Sequence, residues 1–458
     1  MIKLRKIFSL LLAFIFIFSF NNNYIFANNK DFKVVAYCSD IFKDSVETNI
    51  QYDKVTHIIY AFLIPTEDGS LVPIKKADEL EKLVKKGHEN NVKVLIAVGG
   101  WFDENYVPLD ARFEKIAASD ELRKKLVNNI MKFVNDYNLD GIEIDWEYPN
   151  PGDSSQNYEK LVLELGSKLK EKGKYLTAAL NGAWSKIGAP EASRAVTENC
   201  LKEFDWINVM SYDINNEQHS PFWHANTSID YWLNRGVPKE KIVIGIPFYA
   251  HPDFKQYRNI VAQNKENAYT DMAIIDSINY YYNGINTIKE KTRLALKKAS
   301  GVMLFDVNED TLDDLSLVKA INDTINEVSS MSKEKFNNKI YFIINNRELT
   351  FNEDENMGIP FIDENNRTLI PIRKPLEAIG AKVSFDEKNY IVIAKKDNIT
   401  IEIPINKDYI YIDNQKLKMD TKAFIKGERT YIPLRYVFEG FGYNIDWHEE
   451  SKTIIINK

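Results

Sequence analysis

The stretch LDGIEIDWEYP (residues 139–149) has the apolar content of a buried strand, yet it carries three acidic side chains within five residues. Side chains alternate along a strand, so the residues at 142, 144 and 146 point to one face and the acids point to the other. The acids are Glu143, Asp145 and Glu147. In a closed barrel, such a strand would direct its acids inward and pack its apolar face on surrounding helices.

The spacing of the three acids predicts that they cannot all be ionised at once. Same-face neighbours on a strand lie roughly 6.6 Å apart, where two charges repel by about 2.5 kcal/mol at an effective dielectric constant of about 20. At least one acid should therefore stay protonated near neutral pH. Glu147 comes last, before Pro149 ends the strand, and a protonated carboxyl beside ionised ones is what a glycosidase general acid requires. The alternative is an ion-paired or solvated acidic stripe, but no Lys or Arg lies between Lys132 and Lys160.

Further apolar runs alternate with longer amphipathic segments over residues 31–326. With the acidic strand (140–148), they are FKVVAYC (32–38), VTHIIYAFLI (55–64), VKVLIAVGG (92–100), YLTAALN (175–181), DWINVMSYD (205–213), KIVIGIPFY (241–249) and GVMLFDV (301–307). Eight strands alternating with helices predict an α/β fold, a (β/α)8 TIM barrel. A doubly wound open sheet would alternate in the same way, but no Gly-rich phosphate turn follows the first strand. The interval 39–54 is only weakly helical.

Residues 1–27 have the layout of a secretory signal peptide, with basic residues before an apolar run and Ala27 at the cleavage position. The run is shorter than the ~20 residues of a membrane span, and no later stretch is long and apolar enough to cross a bilayer. We therefore expect a secreted protein, extracellular or associated with the cell wall. The net charge of −7 disfavours nucleic acid and anionic membrane as partners.

The two cysteines, Cys38 and Cys200, leave their redox state open. One disulfide or two free thiols are both compatible with the sequence. Neither cysteine has the spacing of a metal or redox site. We therefore expect no metal and no cofactor.

The chain changes character after residue 326. A polar segment, 327–338, is predicted to be a linker, and residues 339–458 contain an internal repeat: RTLIPIRKPLEAIGAKVSFDEKNYIVI (367–393) is matched by RTYIPLRYVFEGFGYNIDWHEESKTIII (429–456). Each copy has an Arg-Thr pair, an Ile-Pro strand, a short helix ending at Gly380 or Gly442, and two strand-like runs. The repeat predicts a small α+β module built from two similar halves.

Several barrel segments resemble glycoside hydrolase family 18, the chitinase-like proteins, and the resemblance covers about residues 32–320. DGIEIDWEYP resembles the active-site strand of the family, and three further segments resemble its third-, sixth- and seventh-strand signatures: VGGW (98–101), MSYD (210–213) and GIPFY (245–249).

The resemblance implies roles for four residues. Glu147 would be the general acid and then the base. Asp145 would hold and polarise the substrate's 2-acetamido group, whose oxygen attacks the anomeric carbon. Tyr212 would hydrogen-bond the acetamido carbonyl, and Asp213 would line the same subsite.

The implied activity is that of a secreted glycosidase that hydrolyses β-1,4 bonds next to N-acetylglucosamine with retention. The substrate would be chitin or chitin-like oligomers, peptidoglycan or an N-glycan core. Two alternatives remain: a lectin-like barrel at the cell envelope that binds chitin or another glycan without turnover, and an envelope structural protein in which the barrel is a scaffold.

Aromatic and polar residues near the strand ends are the expected substrate-binding positions. They are Tyr37, Phe62, Trp101, Glu143, Trp184, Met210, Asp213 and Phe305, with Trp223 as a further stacking candidate. Glu143 stands where the family usually has Asp, Ala97 replaces a frequent Ser, and Phe305 stands where the family commonly has Trp as the subsite floor. A Phe still stacks on a sugar ring, with less area and no indole donor.

The interval 250–300 has room for a helix and little else. The sequence therefore predicts an open, shallow groove without the α+β insertion of many processive family members. The repeats of the C-terminal module resemble the N-terminal (stalk) domain of copper amine oxidases. Copper is not implied, because His448 is the only histidine of this module. The module would position the enzyme at the cell surface or on a polymer, or serve as a folded spacer.

Overall fold

The computed structural model describes residues 32–40, 50–103, 105–351 and 358–458. The predicted signal peptide (1–27) and most of the weakly helical interval 39–54 lie outside these residues. The chain forms two compact units, which divide between Lys333 and Glu334. In the described part of the chain, no helix combines the length and the apolar character that crossing a bilayer requires.

Strands and helices alternate along the first unit. Its strands are β1 (Lys33–Ser39), β2 (His57–Leu63), β3 (Lys93–Gly100), β4 (Gly141–Trp146), β5 (Tyr175–Asn181), β6 (Trp206–Met210), β7 (Ile242–Pro247), β8 (Tyr249–Ala250), β9 (Lys255–Gln256), β10 (Met272–Ile275), β11 (Ile278–Tyr281) and β12 (Gly301–Phe305). Its helices are α1 (Ala77–Glu89), α2 (Asp110–Ala118), α3 (Asp120–Asp136), α4 (Asp153–Glu171), α5 (Glu191–Ala195), α6 (Glu198–Glu203), α7 (Phe222–Asn234), α8 (Tyr257–Gln263), α9 (Ile285–Lys298) and α10 (Leu317–Ser329). Short 3-10 turns lie at Lys239–Lys241, Lys265–Tyr269 and Val307–Glu309.

Eight parallel strands close into a barrel in the order β1–β12–β7–β6–β5–β4–β3–β2. The predicted (β/α)8 TIM barrel is therefore confirmed. In β4, Glu143 lies opposite Ala97 of β3 and Thr177 of β5. The carboxyl ends of all eight strands meet at one end of the barrel, which is where the active sites of such barrels form.

The two faces of β4 divide as their side-chain alternation predicts. On the outward face, Trp146 stacks on Phe113 of α2 with ring centroids 5.1 Å apart and meets Tyr158 of α4 edge-on at 5.6 Å. Aromatic pairs of this kind contribute about 0.5–1.5 kcal/mol beyond the area they bury. The acidic face is left to the barrel interior.

The segment between β7 and α9 differs from the sequence prediction. It contains the paired strands β8 and β9, helix α8 and the hairpin β10–β11, so the prediction of a helix and little else in 250–300 was wrong. The strands are only two to four residues long, too short to show a period. The hairpin turns at Asp276 and Ser277, whose φ angles of 51° and 65° match a two-residue turn. The predicted open groove loses its basis, because it rested on the absence of such a segment.

Within its described residues, the second unit consists of three antiparallel or mixed sheets and short helices. Its strands are β13 (Tyr341–Ile344), β14 (Arg347–Leu349), β15 (Phe361–Ile362), β16 (Thr368–Pro371), β17 (Lys382–Asp386), β18 (Ile391–Lys396), β19 (Ile399–Pro404), β20 (Tyr409–Ile412), β21 (Gln415–Lys418), β22 (Phe424–Lys426), β23 (Arg429–Pro433), β24 (Asn444–His448) and β25 (Thr453–Asn457). Its helices are α11 (Lys333–Asn338), α12 (Arg373–Ala378) and α13 (Leu434–Gly440). The sheet orders are β14–β13–β25–β24, β15–β16–β23–β22 and β17–β18–β19–β20–β21.

The two sequence repeats fold alike. Each runs strand, helix and hairpin, and their first strands, β16 and β23, pair antiparallel with Ile370 opposite Ile432. Gly380 and Gly442 follow their helices with φ of 81° and 78°, the left-handed conformation that ends a helix readily only at glycine. Within the predicted linker 327–338, α10 continues to Ser329 and α11 occupies 333–338. Of the two redox states that the sequence left open, the structure has two thiols: Cys38 and Cys200 are buried and not joined by a disulfide.

Candidate active site

Glu143 is fully buried inside the barrel, where three other strands, β1, β5 and β6, supply it with donors. Its Oε1 accepts a short hydrogen bond from the Tyr37 hydroxyl, and its Oε2 accepts one from the Thr177 hydroxyl and one from Asn208 Nδ2 at 2.6 Å. Burial raises the pKa of Glu143 to about 7, although all three hydrogen bonds act in the opposite direction. The carboxyl is therefore neutral at mildly acidic pH and becomes charged near neutrality.

Asp145 lies one step further along the same face and is also buried. Among the described residues, its Oδ1 has no hydrogen-bond partner. Burial, together with the charges of Glu147 and Glu143, raises the pKa of Asp145 well above its usual range. A buried carboxyl oxygen without a partner is costly, so this atom is available to a ligand that offers an N–H or O–H.

The Gly-Gly pair of β3 makes room for this part of the site. A Cβ on Gly99 would lie 2.1 Å from the carbonyl oxygen of Asp145, and one on Gly100 would lie 3.1 Å from the ring of Phe62. Both glycines also have positive φ, at 122° and 95°. The close approach of β3 to β4 therefore requires glycine at position 99, whereas at position 100 the positive φ and the Phe62 ring of β2 favour it.

Glu147 follows β4 directly and is partly buried, at the mouth of the barrel. The pKa of Glu147 is raised to about 7: burial raises it most, the negative charge of Asp213 adds to the rise, and a hydrogen bond with Tyr148 opposes it. Of the three acids it is the one with exposed surface. A proton held on Glu147 can therefore pass to a molecule in the cleft near neutral pH.

Aromatic rings form the floor of the site. Phe305, at the end of β12, lies with its ring centroid 5.5 Å from Tyr37 and 6.5 Å from Tyr212. Tyr212 packs against the same interior cluster as Met210 and Phe62. A Cβ on Gly245 of β7 would meet the Tyr212 ring at 2.8 Å, so this glycine makes space for the tyrosine. The charges of nearby carboxylates add to burial in raising the pKa of Tyr212, which keeps its hydroxyl a donor.

Asp213 is held by three partners from three segments. Its Oδ2 accepts a hydrogen bond from the Tyr249 hydroxyl at 2.7 Å, and its Oδ1 lies 3.0 Å from His219 Nδ1 and 2.9 Å from His251 Nε2. Burial alone would raise the pKa of Asp213, but the hydrogen bonds outweigh it and hold the pKa below its usual value. Asp213 is therefore ionised near neutral pH, and its charge acts on Glu147.

The structure brings most of the sequence-predicted site residues together. Glu143, Asp145, Glu147, Tyr212 and Asp213 influence one another's ionisation, and the aromatic floor adjoins them. The proposed stacking platforms lie on the surface instead, with exposures of 53% for Trp101, 57% for Trp184 and 45% for Trp223. Trp101 stacks on Phe102 with centroids 5.4 Å apart.

Sequence reasoning missed the residues that hold the acids in place. They are Thr177, Asn208, His219, Tyr249 and His251. Asn208 had a signal, because it is a polar residue with the same parity as Met210 and Tyr212 in an apolar strand. The two histidines had none, because they come from loops whose approach to Asp213 depends on the closed barrel.

Comparison with known proteins matches each of the two units to a family. The sequence profile of the glycosyl hydrolases of family 18 matches residues 33–310, and that of the copper amine oxidase N-terminal domain matches residues 343–456. An endochitinase of Manduca sexta is 28% identical over 241 residues, covering 44% of this chain and 41% of that protein. Chitinase A1 of Niallia circulans is 31% identical over 209 residues, covering 38% and 28%. The chain thus spans less than half the length of these curated relatives.

Solved structures show the same barrel. A family 18 chitinase from the chitin utilization locus of Flavobacterium johnsoniae superposes with a TM-score of 0.56 at 28% identity, covering 66% of this chain and 97% of that one.

Proposed function

Because the chain belongs to the glycosyl hydrolases of family 18, a family of chitinase-like hydrolases, we propose that it cleaves β-1,4 bonds next to N-acetylglucosamine. The substrate class is chitin or chitin-like oligomers, with peptidoglycan as the next candidate. The reaction proceeds with retention and uses the substrate's own acetamido group as nucleophile.

The observation that carries this proposal is the state of Glu147. It is the partly exposed member of a carboxyl cluster, and burial together with the charge of Asp213 raises its pKa to about 7. A general acid works best when its pKa lies near the working pH. Glu147 therefore donates a proton to the glycosidic oxygen as the bond from that oxygen to the anomeric carbon breaks.

The buried Oδ1 of Asp145 supports the acetamido role. This oxygen has no partner among the described residues, so it accepts the acetamido N–H and turns the acetamido carbonyl oxygen toward the anomeric carbon. That oxygen forms the new bond to carbon as the leaving group departs. The Tyr212 hydroxyl donates a hydrogen bond to the same group.

Hydrolysis then completes the cycle. The Glu147 carboxylate takes a proton from a water molecule, and the water oxygen attacks the anomeric carbon and displaces the acetamido oxygen. Two successive inversions give net retention, and Glu147 ends protonated as it began. The nucleophile belongs to the sugar, so this scheme departs from the usual pair of protein carboxylates.

The location of the enzyme is part of the same proposal. The signal-peptide layout of residues 1–27 supports export, and the C-terminal module would hold the enzyme near the cell wall or its polymer.

The experiment is turnover of fluorogenic conjugates of N-acetyl-chitobiose and chitotriose by the wild type and by Glu147→Gln. We expect at least a hundredfold lower kcat in the variant, within the 10²–10⁴-fold contribution typical of general acid catalysis. Glu171→Gln is the matched control, because the Glu171 side chain is 60% exposed on α4; it should retain wild-type activity. Activity of Glu147→Gln within a few-fold of the wild type would contradict the assignment.

A binding protein without turnover is the second candidate, and the phenylalanine at 305 favours it, since the family commonly has a larger ring there. Saturable binding of the oligomers by the wild type without hydrolysis would support this binding function and contradict the enzymatic one. If the wild type neither binds nor cleaves the oligomers, the same assays are repeated with peptidoglycan fragments.

A further inference from the structure

Asp213, whose charge acts on Glu147, forms a cluster with His219 and His251 whose ligand atoms the hydrolytic scheme does not otherwise use. One ligand atom of each, the carboxylate Oδ1, Nδ1 of His219 and Nε2 of His251, lies within 4.8 Å of the other two. Asp213 follows β6, His219 lies in the loop before α7, and His251 lies just after β8. The His219 side chain is fully buried, whereas Asp213 and His251 are 34% and 33% exposed, so the cluster opens on the cleft side.

Both ring nitrogens of His219 face hydrogen-bond acceptors, so one of them lacks a donor when the imidazole is neutral. Nδ1 faces Asp213 Oδ1 at 3.0 Å, and Nε2 faces the carbonyl oxygen of Tyr249 at 3.3 Å. Both neighbours are acceptors. A neutral imidazole has one N–H and one lone pair, so in either tautomer a lone pair faces an acceptor oxygen. A cation would relieve this arrangement, either as a second proton on the ring or as a metal ion between ring and carboxylate.

The surroundings disfavour the second proton. The His219 side chain is fully buried, and burying a charged group is costly. The buried amine of Lys291 lies close by, since it donates hydrogen bonds to Ser220, the neighbour of His219, and to Asn283. A neutral His219 with its Nε2–H on the Tyr249 carbonyl has its Nδ1 lone pair aimed at Asp213. An imidazole whose other nitrogen donates to a backbone carbonyl is the usual state of a metal-ligating histidine.

We propose that Asp213, His219 and His251 bind one Zn²⁺ ion. Two imidazole nitrogens and one carboxylate oxygen are a protein ligand set that this ion commonly takes, with a fourth position left to water. With bonds of about 2.1 Å, tetrahedral ligand atoms lie roughly 3.4 Å apart. The observed separations of 3.0 Å and 2.9 Å from Asp213 Oδ1 therefore need to widen by about half an ångström to reach the tetrahedral distance. The open position faces the cleft, because Asp213 and His251 are the exposed members.

The backbone on both sides of the cluster is fixed in place. His251 exchanges two backbone hydrogen bonds with Tyr281 of the β10–β11 hairpin, at 3.0 Å and 2.8 Å. Ser220, next to His219, bonds the carbonyl oxygen of Ser211 through its hydroxyl at 2.8 Å. The metal site would thus link the barrel strand β6 to the segment that follows β7. It does not depend on the proposed hydrolysis, and it is tested by binding rather than by turnover.

The experiment is calorimetric titration of Zn²⁺ into the metal-stripped, untagged chain. A second titration, with Co²⁺, records the visible d–d absorption of the bound ion. We expect one ion per chain, with the Co²⁺ spectrum of a tetrahedral site that Zn²⁺ displaces. His251→Gln should weaken Zn²⁺ binding by at least ~100-fold, because losing a metal ligand lowers metal affinity at least as much as losing a group that hydrogen-bonds a ligand. Asp213→Asn should do the same while keeping the side chain's shape, and His251 is exposed enough for its variant to fold.

His88→Gln is the matched control. His88 is 32% exposed and its Nε2 lies 2.8 Å from Asp140 Oδ2, so it is another half-exposed histidine on a carboxylate. It is absent from the one group of three ligands found in the described residues, and its variant should bind Zn²⁺ like the wild type. Absence of stoichiometric binding, or binding that His251→Gln leaves unchanged, would overturn the proposal and leave the cluster as a hydrogen-bonded support for Asp213.

Discussion

Glu143→Gln isolates the electrostatics of the barrel interior, because it removes an ionisable proton while keeping the shape of the side chain. Asn208 can only donate through its Nδ2, so it requires an oxygen at the position of Oε2. The Tyr37 hydroxyl faces the other oxygen and can accept as well as donate. A glutamine with its oxygen toward Asn208 and its amide nitrogen toward Tyr37 satisfies both partners, so we expect the variant to fold.

Two opposing effects decide the sign of the result. Hydrogen bonds to a charged group contribute about 1.5–3 kcal/mol each and favour the carboxylate, whereas burying the charge costs several kcal/mol. Burial wins, since the pKa of Glu143 is raised from 4.5 to about 7. Between those pH values the folded protein retains a proton that the unfolded chain releases, so stability falls as pH rises. The difference between the two pKa values corresponds to about 3 kcal/mol.

The assay is urea unfolding of wild type and Glu143→Gln between about pH 4.5 and pH 8, followed by tryptophan fluorescence. Trp447 is the one tryptophan of the C-terminal module, so the signal reports mainly on the barrel. The wild type should lose about 3 kcal/mol relative to the variant across this range, and the difference should level off above about pH 7. Asp145, whose pKa Glu143 helps to raise, changes in the same direction. Parallel curves, or a wild type that gains relative stability with pH, would refute the reasoning.

Three further variants test other parts of the site. Asp213→Asn removes a charge that raises the pKa of Glu147, so the decline of kcat/KM with rising pH should begin at a lower pH in the variant than in the wild type. Both proteins are measured in buffer containing chelator, and an unchanged pH profile would contradict the coupling of Asp213 to Glu147. Gly99→Ala would place a Cβ 2.1 Å from a backbone oxygen, whereas Gly173 also has positive φ but has open space around it. In urea unfolding, Gly99→Ala should lower the free energy of unfolding by at least roughly 2 kcal/mol more than Gly173→Ala does. Equal losses would contradict the close approach of β3 to β4. Trp184→Ala should raise KM for long chitin oligomers by up to about tenfold without changing stability, as expected for a lost stacking platform; an unchanged KM would remove Trp184 from the binding surface.

The barrel was predictable because its strands are long enough to show their periodicity. The acidic strand was predictable for the same reason, since the alternation that buries Trp146 outside the barrel also turns Asp145 inward. The short strands of the 250–300 segment were not, because two to four residues show no period.

The partners of the acids could not be read from the chain either. Thr177 and Asn208 meet Glu143 from β5 and β6, whose register with β4 only the closed sheet defines. His251 is 38 residues from Asp213 in sequence and meets it through the segment that was mispredicted. Local sequence therefore predicts which side chains face inward, whereas the pairs they form depend on closure of the barrel.

The most direct test of the account compares two trisaccharide conjugates that differ at the reacting sugar, one with and one without its 2-acetamido group. If that group is the nucleophile, the wild type should hydrolyse the acetylated conjugate and leave the other uncleaved, and Glu147→Gln should cleave neither at a comparable rate. Equal turnover of both conjugates by the wild type would contradict substrate assistance and require a nucleophile from the protein itself.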